Sequence, residues 1–158
     1  LEGFDAQGVP IVRLPTPAAP SYCGPGQRSL YLVPRGDGDA GRAAQAVETA
    51  VIASLDSFNL RAAPRSKKRG LWLTRVDKPP QADGSPAIDR MAEITLTLRG
   101  QVCFGRVSVN VEPALDRFAP ILADWPAGEA VTSLVDLGFP VTMDDLDVAL
   151  LGAVTPLL

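Results

Sequence analysis

Residues 93–111, EITLTLRGQVCFGRVSVNV, decide how this chain reads. Ile94, Leu96 and Leu98 alternate with Thr95, Thr97 and Arg99, the period-two pattern of a strand with one buried face. Val107, Val109 and Val111 alternate in the same way further on, so the stretch predicts two antiparallel strands folded on each other. Between them the apolar parity slips, because Val102 and Phe104 are even and the later valines odd. A turn at Gly105 accounts for this. So does a glycine β-bulge within one long strand, with the reversal at Arg99-Gly100-Gln101; the bulge keeps the strands near matching length and is the preferred reading.

Upstream, LWLTRV (71–76) reads as another strand, with Leu71 and Leu73 opposite Trp72, Thr74 and Val76, and SLYLV (29–33) as the first, closed by Pro34. Between these two, Ala44, Val47, Val51, Leu55 and Phe58 step by three or four along residues 40–58 and predict an amphipathic helix, with Asp39 as its N-cap. Residues 78–90, containing PPQADGSP, read as a mobile connection. Downstream, Pro113 ends strand pairing and residues 114–123 predict a short helix. Trp125-Pro126 breaks the chain, and residues 128–137 predict a second helix with Gly138 as its left-handed C-terminal residue. Thr142 and Asp145 resemble a capping box opening a last helix, with Asp144 adding favourable charge in its first turn.

The order points to an α+β domain: a mostly antiparallel sheet of about four strands, one long amphipathic helix packed on one face, and a short helical C-terminal tail. Residues 1–28 carry Pro10, Pro15, Pro17, Pro20 and Pro25 with Gly24 and Gly26, which favours an extended arm. Only VPIVRL (9–14) has the apolar content to dock, as an edge strand. The domain proper is then 29–158. A chain of 158 residues with 46% hydrophobic and 21% charged residues is ordinary for one globular unit. A net charge of −3 argues against a phosphate-neutralising protein. No apolar run reaches bilayer-spanning length.

Candidate functional residues are few. Cys23 and Cys103 form no C-x-x-C pair, and the choice lies between a disulfide tying the arm to the central hairpin and two buried reduced thiols. The bridge would contribute about 4–5 kcal/mol on a loop-entropy account. RAAPRSKKR (61–69) holds five basic residues without an interleaved aromatic. Arg65, Lys67, Lys68 and Arg69 are the candidate contact for a protein partner or polyanion, although a solvated loop is the plainer reading. RGD at 35–37 is too common a tripeptide to carry a function, and Asp37-Gly38-Asp39 lacks the remaining ligands of a calcium loop.

The chain has no histidine, which removes Ser-His-Asp and Cys-His systems and imidazole-ligated metals. It has no phosphate-binding loop, dinucleotide fingerprint or nucleophile elbow, so no cofactor is expected. Carboxylates such as Glu93, Glu112, Asp124 and the 144–147 cluster show no spacing that selects a catalytic pair. The sequence therefore predicts a non-enzymatic interaction or assembly component of a bacterial envelope or secretion apparatus, periplasmic, with other proteins as partners. The alternatives are a ring-forming phage-tail or virion subunit, cytoplasmic or in the virion, and a carboxylate-dependent hydrolase. Sheet-plus-helix domains of this order occur among envelope accessory lipoproteins and phage connector proteins, an analogy of architecture only.

Overall fold

The computed structural model describes residues 8–13, 20–34, 39–65, 68–100, 102–123, 125–126 and 128–158, the side chains of residues 40, 68, 69 and 98 excepted. Strand β1 (Gln27–Leu32) leads to helix α1 (Ala40–Asp56), then to strands β2 (Ala63–Arg65), β3 (Lys68–Arg75), β4 (Ala87–Arg99) and β5 (Val102–Asn110). A 3-10 turn (Leu115–Phe118) runs into the single-turn helix α2 (Ala119–Leu122), followed by strand β6 (Glu129–Val131) and helix α3 (Met143–Val154).

The sheet runs β1-β5-β4-β3-β2, antiparallel throughout, while β6 lies parallel to β4. It therefore has six strands rather than about four. The two additions were hidden for physical reasons. β2 and the start of β3 are built from the basic run, read above as a loop, because a charged edge hairpin lacks the apolar alternation of a half-buried strand. β6 occupies part of the predicted helix 128–137: Glu129, Ala130 and Val131 add beside Ile88, Asp89 and Arg90 of β4, beyond the point where β5 ends. The predicted mobile connection 78–90 is correspondingly shorter, since β4 begins at Ala87.

Register divides the sheet into two unlike faces. Leu30 and Leu32 of β1, Val107 and Val109 of β5, Ala92, Ile94 and Leu96 of β4, and Leu71 and Leu73 of β3 share the face that meets the helices. There they join Val47, Val51 and Leu55 of α1 and Leu146 and Leu150 of α3 in one buried cluster. Two helices form this layer, not one. The Ser54 hydroxyl, bonded to the Ala50 carbonyl at 2.9 Å, lies 3.3 Å from the Ala149 carbonyl of α3. Arg28 Nε of β1 meets Asp147 of α3 at 2.7 Å.

The caps form as read. Asp39 accepts from the backbone N–H of Gly41 and Arg42, at 2.8 and 3.1 Å. Thr142 and Asp145 make a reciprocal capping box on α3. These bonds use Asp145 for helix initiation and leave Asp144 in the first turn, where its charge favours the helix N-terminus.

Gly105 is neither a turn nor a bulge. It sits in unbroken register between Leu32 and Leu96 on the helix face, where an added Cβ would lie 3.2 Å from carbons of both leucines. The parity slip has another cause: Val102 and Phe104 point to the opposite face and are 44% and 45% exposed. The bulge is in β4 instead, where Leu71 pairs with Ala92 but Trp72 with Arg90, leaving Met91 as the extra residue. This brings Arg90 to the same face as Glu93.

Candidate functional site on the far face of the sheet

The face turned away from the helices is polar where the other is apolar. Strand pairing aligns Glu93 with Ser108, Ser108 with Ser29, Arg106 with Thr95 and Tyr31, and Gln27 with Asn110. The loop 20–26 folds over this face and delivers Ser21, Tyr22 and Cys23 to it. Gly26 makes the fold-over close: its φ is +84°, its carbonyl accepts from Val111 and Glu112 N–H at 3.0 and 2.8 Å, and an added Cβ would lie 2.1 Å from the Glu112 carbonyl oxygen. Gln27 finishes the turn by accepting from Gly24 N–H at 2.8 Å and donating to Asn110 at 2.9 Å. Asn110 then donates to the Thr132 carbonyl at 3.0 Å, joining the ends of β5 and β6.

At the centre, Arg106 donates from Nη1 to Cys23 Sγ at 3.0 Å and from Nη2 to Ser21 Oγ at 2.9 Å. Ser21 in turn donates to Glu93 Oε2 at 2.8 Å, and Glu93 Oε1 lies 3.5 Å from Arg106 Nη2. Burial would lower the Arg106 pKa, but the Cys23 sulfur and the Glu93 carboxylate outweigh it and hold the guanidinium above its ordinary value. Arg90 stands beside this group, 3.7 Å from Glu93, with its guanidinium 4.5 Å over the Trp125 ring. Burial, only partly offset by Glu93, shifts its pKa downward. Trp125 packs at a 44° tilt against Trp72, 5.3 Å between ring centroids, and Arg65 sits over Trp72 at 5.5 Å while pairing with Glu129 at 2.7 Å. A row of cations and aromatic rings thus crosses the far face from β2 to the arm.

Above the row lies a second apolar cluster. Tyr22 meets Phe118 edge to face at 4.9 Å, with Ile121 and Val131 buried beside them and Val9, Ile11, Leu115, Leu122 and Trp125 packed around. The segment expected as an edge strand, 9–14, contributes Val9 and Ile11 here without pairing to the sheet over its described part, 8–13. A buried serine hydroxyl belongs to the same face. Ser108 Oγ is buried, its residue 2% exposed, and has no hydrogen-bond partner among the described residues.

The two cysteines are both free, Cys23 exposed and Cys103 buried. Strand parity puts Cys103 on the helix face with Val107 and Val109, whereas Cys23 meets Arg106 on the far face, so the sheet stands between them. Of the basic run, Arg65 is engaged by Glu129 and Trp72 within the fold; Lys67 lies outside the described residues, as do the side chains of Lys68 and Arg69 and the RGD tripeptide. The residues that build the far face, Arg90, Arg106 and Trp125 above all, were not singled out from sequence. The available signal was charge at alternating positions inside otherwise valine- and leucine-rich strands.

A separate buried network lies around Arg75, which pairs with Asp77 through both Nε and Nη2, at 2.8 and 2.7 Å, and with Asp89 and Asp136 at 2.7 and 3.0 Å. Lys78 closes on Asp89 at 2.5 Å. With Thr132 also donating to Asp136 at 2.7 Å, these groups tie β3 and β4 to the segment after β6. Every cation here is matched by carboxylates, which marks a structural tie. Among the described residues no group of three or more His, Cys, Asp or Glu is arranged to hold a metal, and no helix is long and apolar enough to cross a membrane.

No protein-family model matches the chain. It is 47% identical over 134 residues to an octanoyltransferase of Jannaschia, covering 82% of this chain and 62% of that protein. It is 43% identical over 133 residues to an octanoyltransferase of Paracoccus versutus, covering 82% of this chain and 86% of that protein. The chain thus spans about three fifths of the length of several of the curated relatives it matches, 62% for the one from Jannaschia. Among solved structures, the bipartite lipoate protein ligase of Thermoplasma acidophilum superposes with a TM-score of 0.72 at 17% identity, over 98% of this chain and 60% of that one. A lipoate-protein ligase A bound with ATP gives 0.70 at 20%, over 98% and 61%. At such identities these two likenesses establish the fold. The sequence relatives overturn the expectation of a non-enzymatic assembly protein of the envelope, and with it the structural, periplasmic and phage-tail readings and the carboxylate hydrolase, because they are transferases.

Proposed function

The chain belongs to the octanoyltransferase family, and from that premise we propose that it binds an octanoyl group on the far face of its sheet and passes it to an acceptor protein. The observation that carries the reading is the 43% identity spanning 86% of the Paracoccus versutus relative. The far face suits the substrate class. A medium-length acyl chain needs apolar cover, which the Tyr22, Phe118, Ile121 and Val131 cluster supplies, and its reacting carbonyl needs polar groups at one end, which Arg106, Glu93, Ser21 and Cys23 supply. The helix face offers neither, being filled by Val47, Leu55, Leu71 and Val107.

The acceptor we favour is a lipoyl domain, the protein paired with the Thermoplasma acidophilum ligase of the same fold. Acyl transfer from a thioester to an acceptor amine would form one amide bond and release one thiol, with no metal or redox partner required. The test is incubation with octanoyl-coenzyme A and a purified lipoyl domain, followed by intact-mass measurement of the acceptor, with acetyl and palmitoyl donors in parallel. Octanoyl should transfer fastest. Binding of octanoyl without transfer would keep the acyl site and retire the transferase reading, and absence of both would retire the whole proposal.

A further inference from the structure

We infer that Arg90 and Ser108 hold the carboxylate of a free medium-chain fatty acid such as octanoate, which then competes with the acyl donor for the far face; this rests on the acyl-site reading above. The Arg90 side chain is nine-tenths buried. The carboxylate oxygen it faces, Glu93 Oε2, stands 3.7 Å away, beyond hydrogen-bond length, and already accepts from Ser21 at 2.8 Å. Glu93 Oε1 faces Arg106 at 3.5 Å, so two guanidiniums share one carboxylate. Nothing else among the described residues accepts a hydrogen bond from the Arg90 guanidinium, and the Trp125 ring 4.5 Å from it offers no oxygen. Arg75, buried to the same degree, is treated quite differently: it meets Asp77, Asp89 and Asp136 at 2.7, 2.7 and 3.0 Å.

Ser108 supplies a second donor. It pairs with Glu93 across β4 and β5, its residue is 2% exposed, and its hydroxyl has no partner among the described residues. Arg90 and Ser108 therefore flank the same glutamate, each with donors still to be satisfied.

A buried guanidinium and a buried hydroxyl in that condition both cost stability until an acceptor arrives. A thioester or amide carbonyl would accept from them and leave the surplus positive charge unmatched. A carboxylate accepts from both and cancels it. The surroundings select which carboxylate: Trp125 adjoins Arg90, and Ile121, Leu122 and Val131 belong to the same apolar cluster, so an anion with a hydrocarbon tail fits better than a small inorganic one. No bond is made or broken when the acid binds.

The test titrates octanoate into the unmodified protein by calorimetry and by the fluorescence of Trp72 and Trp125, the two tryptophans of the chain. Octanamide, butyrate and inorganic phosphate are run in parallel, with octanoyl transfer to the lipoyl domain measured on the same sample. Octanoate should bind about tenfold or more tightly than octanamide, which has the tail without the charge. It should also bind ahead of butyrate and phosphate and inhibit transfer competitively. The preference for octanoate over octanamide should vanish in Arg90→Gln and return in part in Arg90→Lys, and Ser108→Ala should lower octanoate affinity about threefold. Equal binding of octanoate and octanamide, phosphate bound as tightly as octanoate, or a preference that survives Arg90→Gln overturns the inference, and transfer in the same sample leaves the acyl-transfer reading standing. The octanamide comparison needs no variant, so it decides the matter even if Arg90→Gln fails to fold. Absence of both octanoate binding and octanoyl transfer overturns both.

Discussion

The two faces of the sheet are made by the same strands and differ in nearly everything else. On the helix side, Leu71, Ala92, Ile94, Val107 and Val109 are almost fully buried in one cluster with residues of α1 and α3. Across the sheet, residues one position away in β4 and β5, Glu93, Arg106 and Ser108, hold charge and an unpartnered hydroxyl beneath an arm and a short helical turn. The contrast separates stability from chemistry. A well-packed apolar face has no polar group to offer a substrate, whereas a polar face covered by loops keeps directional groups in a partly water-excluded setting where they act strongly.

This contrast can be broken by experiment, beginning with its deepest side. Leu71→Ala on the helix face, at a fully buried position, should cost about 3–4 kcal/mol in denaturant unfolding. If it instead abolished octanoyl binding in the still-folded fraction, the faces would not be functionally separate. Gly26→Ala should cost about 2–3 kcal/mol, since it forces a side chain into a left-handed backbone against the Glu112 carbonyl. Its effect should extend to the far face: with the loop displaced, Cys23 loses Arg106 and its alkylation should slow. Unchanged alkylation would mean that the loop does not depend on this glycine.

Thr142→Ala removes the α3 cap and should cost about 1 kcal/mol, without touching acyl handling. Transfer lowered more than stability would count against the division. The smallest effect concerns acid. Asp77 is held at about 2, below its ordinary 3.8, by hydrogen bonds from Arg75. A depressed carboxylate stabilises the fold fully above its unfolded value and loses that contribution as pH falls through its folded value. The Tm difference between the natural protein and Asp77→Asn should therefore hold steady down to about 3.8 and close as pH approaches about 2. A gap that persists there would mean Asp77 acts through something other than its charge.

Much of the fold could be read directly from residue order. The alternation in β4 and β5, the stripe of Val47, Val51 and Leu55, and the Thr142–Asp145 cap are local signals, and each appears where its period or spacing puts it. Two errors share one origin. Val102 and Phe104 are apolar yet exposed at the far end of the hairpin, so their even parity marks neither a turn nor a bulge at Gly105. Likewise, β6 and the basic hairpin β2–β3 are strands because neighbours complete their hydrogen bonding, not because their own composition demands it.

By itself, then, the sequence determined the helix face and the caps, since these depend on period and spacing. Only the tertiary structure decided the far face. The bulge at Met91 turns Arg90 toward Glu93, the Gly26 fold-over carries Cys23 to Arg106, and the sheet separates Cys23 from Cys103. Each of these joins residues distant in the chain through backbone register. Register is a property of paired strands, and no single strand carries it.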